Sequence, residues 1–334
     1  AEIGYPVMVK ASAGGGGRGI RIVEKAEELE SQINAAKQEA LSAFGNDEIY
    51  IEKFVVNPKH IEIQILADSQ GNVISLGERD CSMQRRNQKV LEEAPSTVID
   101  EDTRHKMGEA ACAAAKVCGY KNAGTIEFLV DKDKHFYFME MNTRIQVEHP
   151  ITEEVTGVDI VKEQLRIAAG EPLSYKQEDI KLSGHAIECR INAENPAMNF
   201  MPSPGVIDSL FIPGGPGVRV DTAVYQGYEI TPYYDSMIAK LIVHGKDREE
   251  AIAKMKWALA EFIVDGVSTN IDFHLKLIRT EAFEKGDYLP HDILWREKAA
   301  FSDAVGHSMV DHLKEYAETV YTQEEFEKKR AKYT

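Results

Sequence analysis

The chain has 334 residues, of which 43% are hydrophobic and 28% are charged, as in ordinary globular proteins of two or three domains. Its 39 basic and 55 acidic residues give a formal net charge of −16, which argues against nucleic acid or an anionic membrane as the main partner. The sequence contains no signal-peptide pattern, no apolar run of about 18 residues, and no zinc-type spacing among its 4 cysteines, so we expect reduced thiols and a cytoplasmic location.

The first residues predict a phosphate-covering flap between two strands. The predicted strands are Val7–Lys10 and Ile20–Val23, and the loop between them contains four consecutive glycines, Gly14–Gly17. Glycine permits positive φ and close backbone approach, so the N–H groups of such a loop can hold phosphate oxygens, although a mobile surface hairpin has the same pattern. No Gly-Lys-Ser/Thr follows, which excludes a Walker A motif. Because Ala1 leads almost directly into a strand, we expect the chain to be a fragment.

The next stretch predicts a helix, a strand and a hairpin. A helix is expected over 25–44 and a strand over Glu48–Val56, whose end either borders a flat heterocycle or is an ordinary strand terminus. The segment His60–Leu66 alternates strictly, and Gly71-Asn72 predicts a turn into a second strand. Residues 78–89 carry three arginines and one lysine with few apolar residues, which predicts a basic loop, either an anion site or a solvated segment.

A second hairpin follows a predicted helix over 102–119. Thr125–Val130 and His135–Glu140 flank Asp-Lys-Asp-Lys, and a turn centred there places Glu127 opposite Glu140. Like charges in such a cross-strand pair are destabilising unless a cation lies between them. Magnesium prefers carboxylate oxygens together with substrate phosphates, so the hairpin predicts a metal site.

The following stretch repeats polar residues at period two from Glu140 to Glu148. In an extended strand they share one face, with apolar residues on the other. A solvated edge strand is the alternative. Further on we expect a helix over 151–169 and a strand over His185–Ile191, with Glu188 and Arg190 on one face. We also expect a strand over Met237–Val243, a helix over 248–262, and a solvated, charged terminal helix or tail from Phe301.

Together these motifs resemble the ATP-grasp ligases and, within them, biotin carboxylase. The resemblance rests on Met-Asn-Thr-Arg-Ile-Gln-Val-Glu-His-Pro, Glu-Arg-Asp-Cys-Ser-Met-Gln-Arg-Arg and Glu-Cys-Arg-Ile-Asn-Ala-Glu. It implies an α+β class with the ATP-grasp fold, in which two α+β subdomains grip ATP, followed by a mixed β/α C-terminal region. The implied domains are a partial lid subdomain over 1–55, a core with the metal and bicarbonate site over 56–183, the C-terminal region over 184–300, and an unplaced charged tail over 301–334.

The resemblance also implies a role for each matching residue. The implied ATP contacts are Lys10, Gly14, Gly15, Gly16 and Gly17 within the loop Gly14–Gly19, Glu52, Lys53 and Val55 around adenine, and His60 and Gln84 near the ribose. The implied ligands of two Mg²⁺ or Mn²⁺ ions are Glu127, Glu140 and Asn142. The implied bicarbonate and biotin contacts are Lys89, Arg144, Gln146, Val147, Glu148 and Arg190, with Glu148 as general base and Arg190 stabilising the biotin enolate. Lys89, Glu148, Arg144 and Arg190 are the implied catalytic residues.

The implied reaction is ATP-dependent carboxylation of biotin by bicarbonate through carboxyphosphate, the first half-reaction of acetyl-CoA carboxylase or a related enzyme. No Met-Lys-Met site is present, so the biotin is expected on a partner, a biotin carboxyl carrier protein. Carboxyltransferase subunits and a homodimer of the full-length protein are further implied. Two departures stand out: Asn87 occupies a position where histidine is expected, and the family's N-terminal domain is missing. The alternatives are another bicarbonate-phosphorylating ATP-grasp ligase, such as a carbamoyl-phosphate synthetase half, and a nucleotide-binding fragment that does not turn over.

Overall fold

The computed structural model describes residues 4–12, 20–86 and 88–288. It divides into two compact units, one within residues 1–58 and one from residue 59 onward. The predicted glycine contacts Gly14–Gly17, Asn87 and the tail over 301–334 lie outside the described residues. Among the helices that are described, none combines the length and apolar character needed to span a membrane.

The first unit is a three-stranded antiparallel sheet packed against one helix. Its elements are β1 (Val7–Ala11), β2 (Ile20–Val23), α1 (Ala26–Phe44) and β3 (Ile49–Lys53), with the strands in the order β2-β1-β3. Ala36 of the helix packs against Val7 and Val9 of the central strand. The predicted element order is confirmed, but β3 ends earlier than predicted: the N–H of Phe54 still bonds to the carbonyl of Pro6, and Pro6 has no N–H with which to continue the ladder.

The second unit is organised by an eight-stranded antiparallel sheet. The strands of the whole second unit, within the large sheet and outside it, are β4 (Lys59–Ala67), β5 (Val73–Arg85), β6 (Gln88–Ala94), β7 (Asn122–Val130), β8 (Phe136–Asn142), β9 (His185–Asn192), β10 (Glu194–Asn195), β11 (Met201–Pro202), β12 (Gly205–Val206), β13 (Ser209–Phe211), β14 (Val218–Thr222), β15 (Glu229–Ile230), β16 (Met237–Gly245) and β17 (Ile263–Asp265). The large sheet has the order β14-β16-β9-β6-β5-β4-β7-β8, and the shorter strands form the pairs β10-β11, β12-β15 and β13-β17. The mixture of helices with antiparallel sheets confirms the predicted α+β class.

Helices cover both faces of the large sheet. They are α2 (Glu101–Val117), α3 (His149–Thr156), α4 (Ile160–Ala168), α5 (Arg248–Glu261), α6 (Ile271–Ile278) and α7 (Glu281–Glu284). In β4, Ile61, Ile63 and Ile65 belong to the core under α2, whereas Leu66 packs in the core that includes α4. Because successive side chains of a strand point to opposite faces, Glu62 and its polar neighbours lie on the α4 side.

The prediction of a basic loop over 78–89 is wrong. Residues up to Arg85 extend β5, and β6 begins at Gln88. The first charged residues of the segment are compatible with a central strand because they are paired within the fold: Glu78 accepts hydrogen bonds from Arg104, and Arg79 donates to Glu62. Composition alone does not distinguish such internal pairs from solvated charges.

The polar strand predicted over Glu140–Glu148 is also only partly formed. The predicted register of Glu127 opposite Glu140 is confirmed, but β8 ends at Asn142 and the chain turns into α3, where proline occupies the first turn. The single helix predicted over 151–169 is wrong as well. It is divided into α3 and α4 at Gly157, which has φ +72 and caps α3 in the left-handed conformation.

Candidate active site

A single lysine joins three carboxylates on the polar face of the large sheet. The Lys89 ammonium lies 2.6 Å from Glu62, 3.0 Å from Glu127 and 2.6 Å from Glu148. These groups come from β6, β4, β7 and the residue before α3, so the cluster forms only when the sheet and the helix pack together. Burial alone would raise the pKa of Glu62, but the charges of Arg79 and Lys89 lower it to about 2.

Beneath this lysine lies Arg79, a fully buried arginine that the sequence reasoning did not single out. Its guanidinium donates to Glu62 at 2.6 Å, to Gln64 at 2.7 Å and to Gln146 at 3.0 Å, and it also donates to two threonine hydroxyls. The rigid donor fork of arginine suits several acceptors at once. Polar residues at alternate positions of the otherwise apolar β4 were the available signal, because a buried Glu62 needs a cationic partner.

The predicted metal ligands lie at one end of the β7–β8 pair. Glu127 is buried and accepts hydrogen bonds from Gln146 at 2.7 Å and Asn142 at 3.0 Å, and His60 lies 2.8 Å away, while Glu140 opposite is exposed. Burial opposes the charged form of Glu127, but the bond with His60 and the Lys89 charge lower its pKa to about 2. Two opposed carboxylates and an amide are a donor set that suits Mg²⁺. His60, Glu62 and Glu127 also have ligand atoms within 4.8 Å of one another.

The predicted general base lies between two cations. One oxygen of Glu148 contacts Lys89, and the other accepts a hydrogen bond at 2.9 Å from Arg190. Arg190 is held from behind by Glu92 at 2.6 Å. The carbonyl of Val147 accepts a hydrogen bond at 3.0 Å from Lys240 of β16, which fixes the turn that carries Glu148.

The other predicted residues of the second unit lie around this cluster. Gln84 bonds to the imidazole of His60 at 2.8 Å, and Gln146 is buried against Arg79. Arg144 is exposed, and its guanidinium donates to the side chain of Asn142 at 3.3 Å.

In the first unit, Lys10 and Glu52 form an ion pair of 2.5 Å on one face of the small sheet. The register pairs Met8 with Glu52, so Lys10, two residues further on, points to the same face. Lys53 is exposed at the end of β3, and Val55 follows the strand.

Three protein families match parts of this chain. Residues 1–176 match "Carbamoyl-phosphate synthase L chain, ATP binding domain", and residues 188–293 match "Biotin carboxylase C-terminal domain". Residues 267–333 match "Asparagine synthase", and most of that range lies beyond the last described residue.

Two curated relatives cover most of this chain. Biotin carboxylase 1 of Bacillus subtilis is 60% identical over 288 residues, which are 86% of this chain and 64% of the relative. The biotin carboxylase of Nostoc sp. is 59% identical over 286 residues, which are 86% of this chain and 64% of the relative. The chain therefore spans less than two thirds of the length of either relative.

Two solved structures are also similar to this chain over most of its length. The biotin carboxylase domain dimer of Hydrogenobacter thermophilus 2-oxoglutarate carboxylase, in complex with MgADP, ADP and bicarbonate, has a TM-score of 0.82 and 53% identity over 91% of this chain and 67% of that one. Biotin carboxylase of Campylobacter jejuni, in its β-γ-ATP complex, has a TM-score of 0.81 and 52% identity over 88% of this chain and 66% of that one.

Proposed function

The chain belongs to the biotin carboxylase family of ATP-grasp proteins, and on this basis we propose that it carboxylates biotin with bicarbonate at the expense of ATP. The reaction proceeds through carboxyphosphate and is the first half-reaction of acetyl-CoA carboxylase or a related biotin-dependent enzyme. The observation that carries the proposal is Glu148, whose two oxygens contact Lys89 and Arg190. A carboxylate in hydrogen-bond contact with two cations can take a proton from an anion that the same cations bind.

In this reaction Glu148 takes the proton of bicarbonate, and Lys89 holds the resulting anion. Glu148 is 2% exposed, so its proton transfer is shielded from bulk water. Arg144 is exposed at the rim, where it can turn toward an entering anion. Gln146 and Val147 supply further polar contacts to bicarbonate. Carboxyphosphate then breaks down to CO₂ and phosphate, the phosphate takes the N–H proton of biotin, and the biotin nitrogen attacks CO₂. Arg190 stabilises the negative charge on the biotin ring oxygen, where a fixed cation in a water-poor site contributes about 3 to 4 kcal/mol, as other oxyanion donors do.

Glu127, Glu140 and Asn142 hold two Mg²⁺ or Mn²⁺ ions in the proposed site. Bound divalent ions neutralise the charge that develops on the transferred phosphoryl group. The bond with His60 and the Lys89 charge keep Glu127 ionised near neutral pH, so this carboxylate can receive a metal without a prior proton loss, and Glu140 is exposed beside it.

We propose that Lys10 contacts the phosphates of ATP. We propose further contacts of Glu52, Lys53 and Val55 with adenine, and of His60 and Gln84 with the ribose. We further propose the domain division 1–55, 56–183, 184–300 and 301–334, a biotin carboxyl carrier protein and carboxyltransferase subunits as partners, a homodimer of the full-length protein, and a cytoplasmic location.

The test is ADP release with ATP, Mg²⁺ and bicarbonate, measured with and without free biotin. We expect biotin to stimulate release and Glu148→Gln to abolish the stimulation. Glu109→Gln on the exposed side of α2 is the matched control and should leave release unchanged. Release that biotin does not affect would favour another bicarbonate-phosphorylating ligase, and ATP binding without release would favour the nucleotide-binding alternative.

A further inference from the structure

A second buried carboxyl group lies behind the proposed catalytic arginine and has no role in the reaction described above. Glu188 of β9 is fully buried, and neither of its oxygens has a hydrogen-bond partner among the described residues. A buried carboxylate without partners incurs a large desolvation cost, whereas the cost for the protonated acid is far smaller. The unpaired state of Glu188 therefore indicates an uncharged side chain.

The neighbour of Glu188 across the sheet is another glutamate. The register of β6 and β9 sets Glu92 directly opposite Glu188, and side chains in such pairs have Cβ atoms about 5 Å apart. Both residues are fully buried. Two adjacent carboxylates in a site of low dielectric do not ionise together, so one proton remains on the pair.

The partners of the pair decide which acid carries that proton. Glu92 accepts a hydrogen bond from the Nε of Arg190 at 2.7 Å and so has a cation bound to it. One oxygen of Glu92 and both oxygens of Glu188 have no partner within the described residues. Burial raises the pKa of both acids. The Arg190 charge opposes this effect at Glu92, whose pKa is raised to about 7, whereas the Glu92 charge adds to it at Glu188, whose pKa is raised well above its usual range.

We propose that Glu188 is held as a neutral carboxylic acid beside Glu92, and that it thereby positions Arg190 for the reaction. With Glu188 neutral, Arg190 is shared between one carboxylate behind it, Glu92, and one in front of it, Glu148. Ionisation of Glu188 would add a second negative charge behind the guanidinium and draw it away from Glu148. The remaining cation that faces Glu188 is Lys240 of β16, whose ammonium is engaged by the Val147 carbonyl and Asp221.

The protonation state can be tested without turnover, by urea unfolding of the full chain between about pH 5 and pH 8. The folded state retains a proton on Glu188 that the unfolded state releases, so stability falls with rising pH by this contribution. Glu188→Gln lacks the contribution, and its unfolding midpoint relative to the parent chain should rise with pH. If Glu188→Gln does not fold, Glu188→Met, which leaves no polar group unpaired, serves for the same comparison.

Asp68→Asn is the control, because Asp68 is also a buried carboxylate and none of its hydrogen-bond partners titrates in this range. Burial alone would raise the pKa of Asp68, but hydrogen bonds from the Asn72 side chain and from backbone N–H groups lower it below its usual value, so it is ionised in both the folded and unfolded states across this range. Its midpoint difference from the parent should therefore be constant. A Glu188→Gln difference that is equally constant would show that Glu188 is ionised and would overturn the proposal.

The positioning role is tested by a double-mutant cycle and by turnover. The effects of Glu188→Gln and Arg190→Lys on stability should be additive where Glu188 is neutral and should become coupled as the pH rises. The expected effect on turnover rests on the proposed function. The kcat/KM of the parent should fall about tenfold per pH unit above the pKa of Glu188, and Glu188→Gln should remove this decrease at high pH. Additivity at every pH, or an unchanged alkaline limb, would overturn the positioning role. Absence of ADP release from all variants would count against the proposed function alone, since the unfolding measurements stand without it.

Discussion

Lys89 and Glu148 lie 2.6 Å apart, from the ammonium nitrogen to Oε1, and the same ammonium also contacts Glu62 and Glu127. One cation is therefore shared by three carboxylates in a place that is almost closed to water. The surrounding acids in turn oppose loss of its proton, and the pKa of Lys89 is raised above its usual value although burial alone would lower it. Stability and the proposed chemistry depend on the same contacts.

Replacing this cation should destabilise the fold as well as stop turnover. Lys89→Met leaves Glu62, Glu127 and Glu148 close together without their shared partner, and breaking a buried ion pair costs about 3 to 5 kcal/mol. We expect a loss of that order in the free energy of unfolding, measured by urea at neutral pH. Lys132→Met, in an exposed pair with Asp133, should have no measurable effect. Equal stability of the two variants would show that the cluster is not held by its lysine.

Arg79 should be as important to stability as any residue in the second unit. Arg79→Met removes five hydrogen bonds from a fully buried position and leaves Glu62 with one cation, so we again expect a loss of about 3 to 5 kcal/mol. Thr125→Val removes the 3.2 Å contact to the same guanidinium and a long bond of 3.5 Å from the hydroxyl to Gln64, and it should cost about 1 kcal/mol. Thermal or urea unfolding of both variants measures the two losses in the free energy of unfolding. Losses of similar size would contradict the central role of Arg79.

For Glu140, an exposed residue of the predicted metal site, we expect a loss of activity with little loss of stability. Glu140→Gln removes a proposed metal ligand, but in the folded chain Glu140 is exposed and its one described hydrogen bond is a long contact of 3.5 Å from Asn142. We expect a loss of Mg²⁺-dependent ADP release, with the half-saturating Mg²⁺ concentration raised at least tenfold, and little change in unfolding. The control is Asp133→Asn at the tip of the same hairpin. Unchanged activity at limiting Mg²⁺ would exclude Glu140 as a ligand.

Local sequence patterns predicted the strands in which apolar and polar residues alternate because one face is buried. The strand at His60–Leu66 and the pairing of Glu127 with Glu140 follow from periodicity and turn length, and both are confirmed. The same reasoning failed over residues 78–89, because it treats charge as a sign of solvent. There, partners such as Glu62 for Arg79 come from a different strand, and no local pattern identifies them.

The sequence identified the site residues that belong to recognisable motifs. It did not identify those that come together only through the packing of distant strands. The sequence reasoning named Glu148, Lys89 and Arg190, and the structure brings them into contact. It did not identify the layer behind them, Glu92 and Glu188, since their proximity depends on the register between β6 and β9. Those two strands are separated by helices and a hairpin along the chain, so their register is a tertiary property.

Acidification should unfold this protein through carboxylates that the native state keeps ionised. Hydrogen bonds and charge from His185 and Arg248 lower the pKa of Glu93 to about 2, despite full burial, from a value of 4.5 in the unfolded chain. Because the folded pKa is depressed, this stabilisation is complete above about pH 4.5 and is lost as the pH falls toward 2, with a contribution on the order of 3 kcal/mol. Urea midpoints measured from neutral pH downward should fall steeply in that window. Glu93→Gln should be less stable than the parent at neutral pH, and the difference should shrink as the parent's carboxylate is protonated; a difference that stays constant down to about pH 2 would mean that Glu93 contributes nothing to the acid transition.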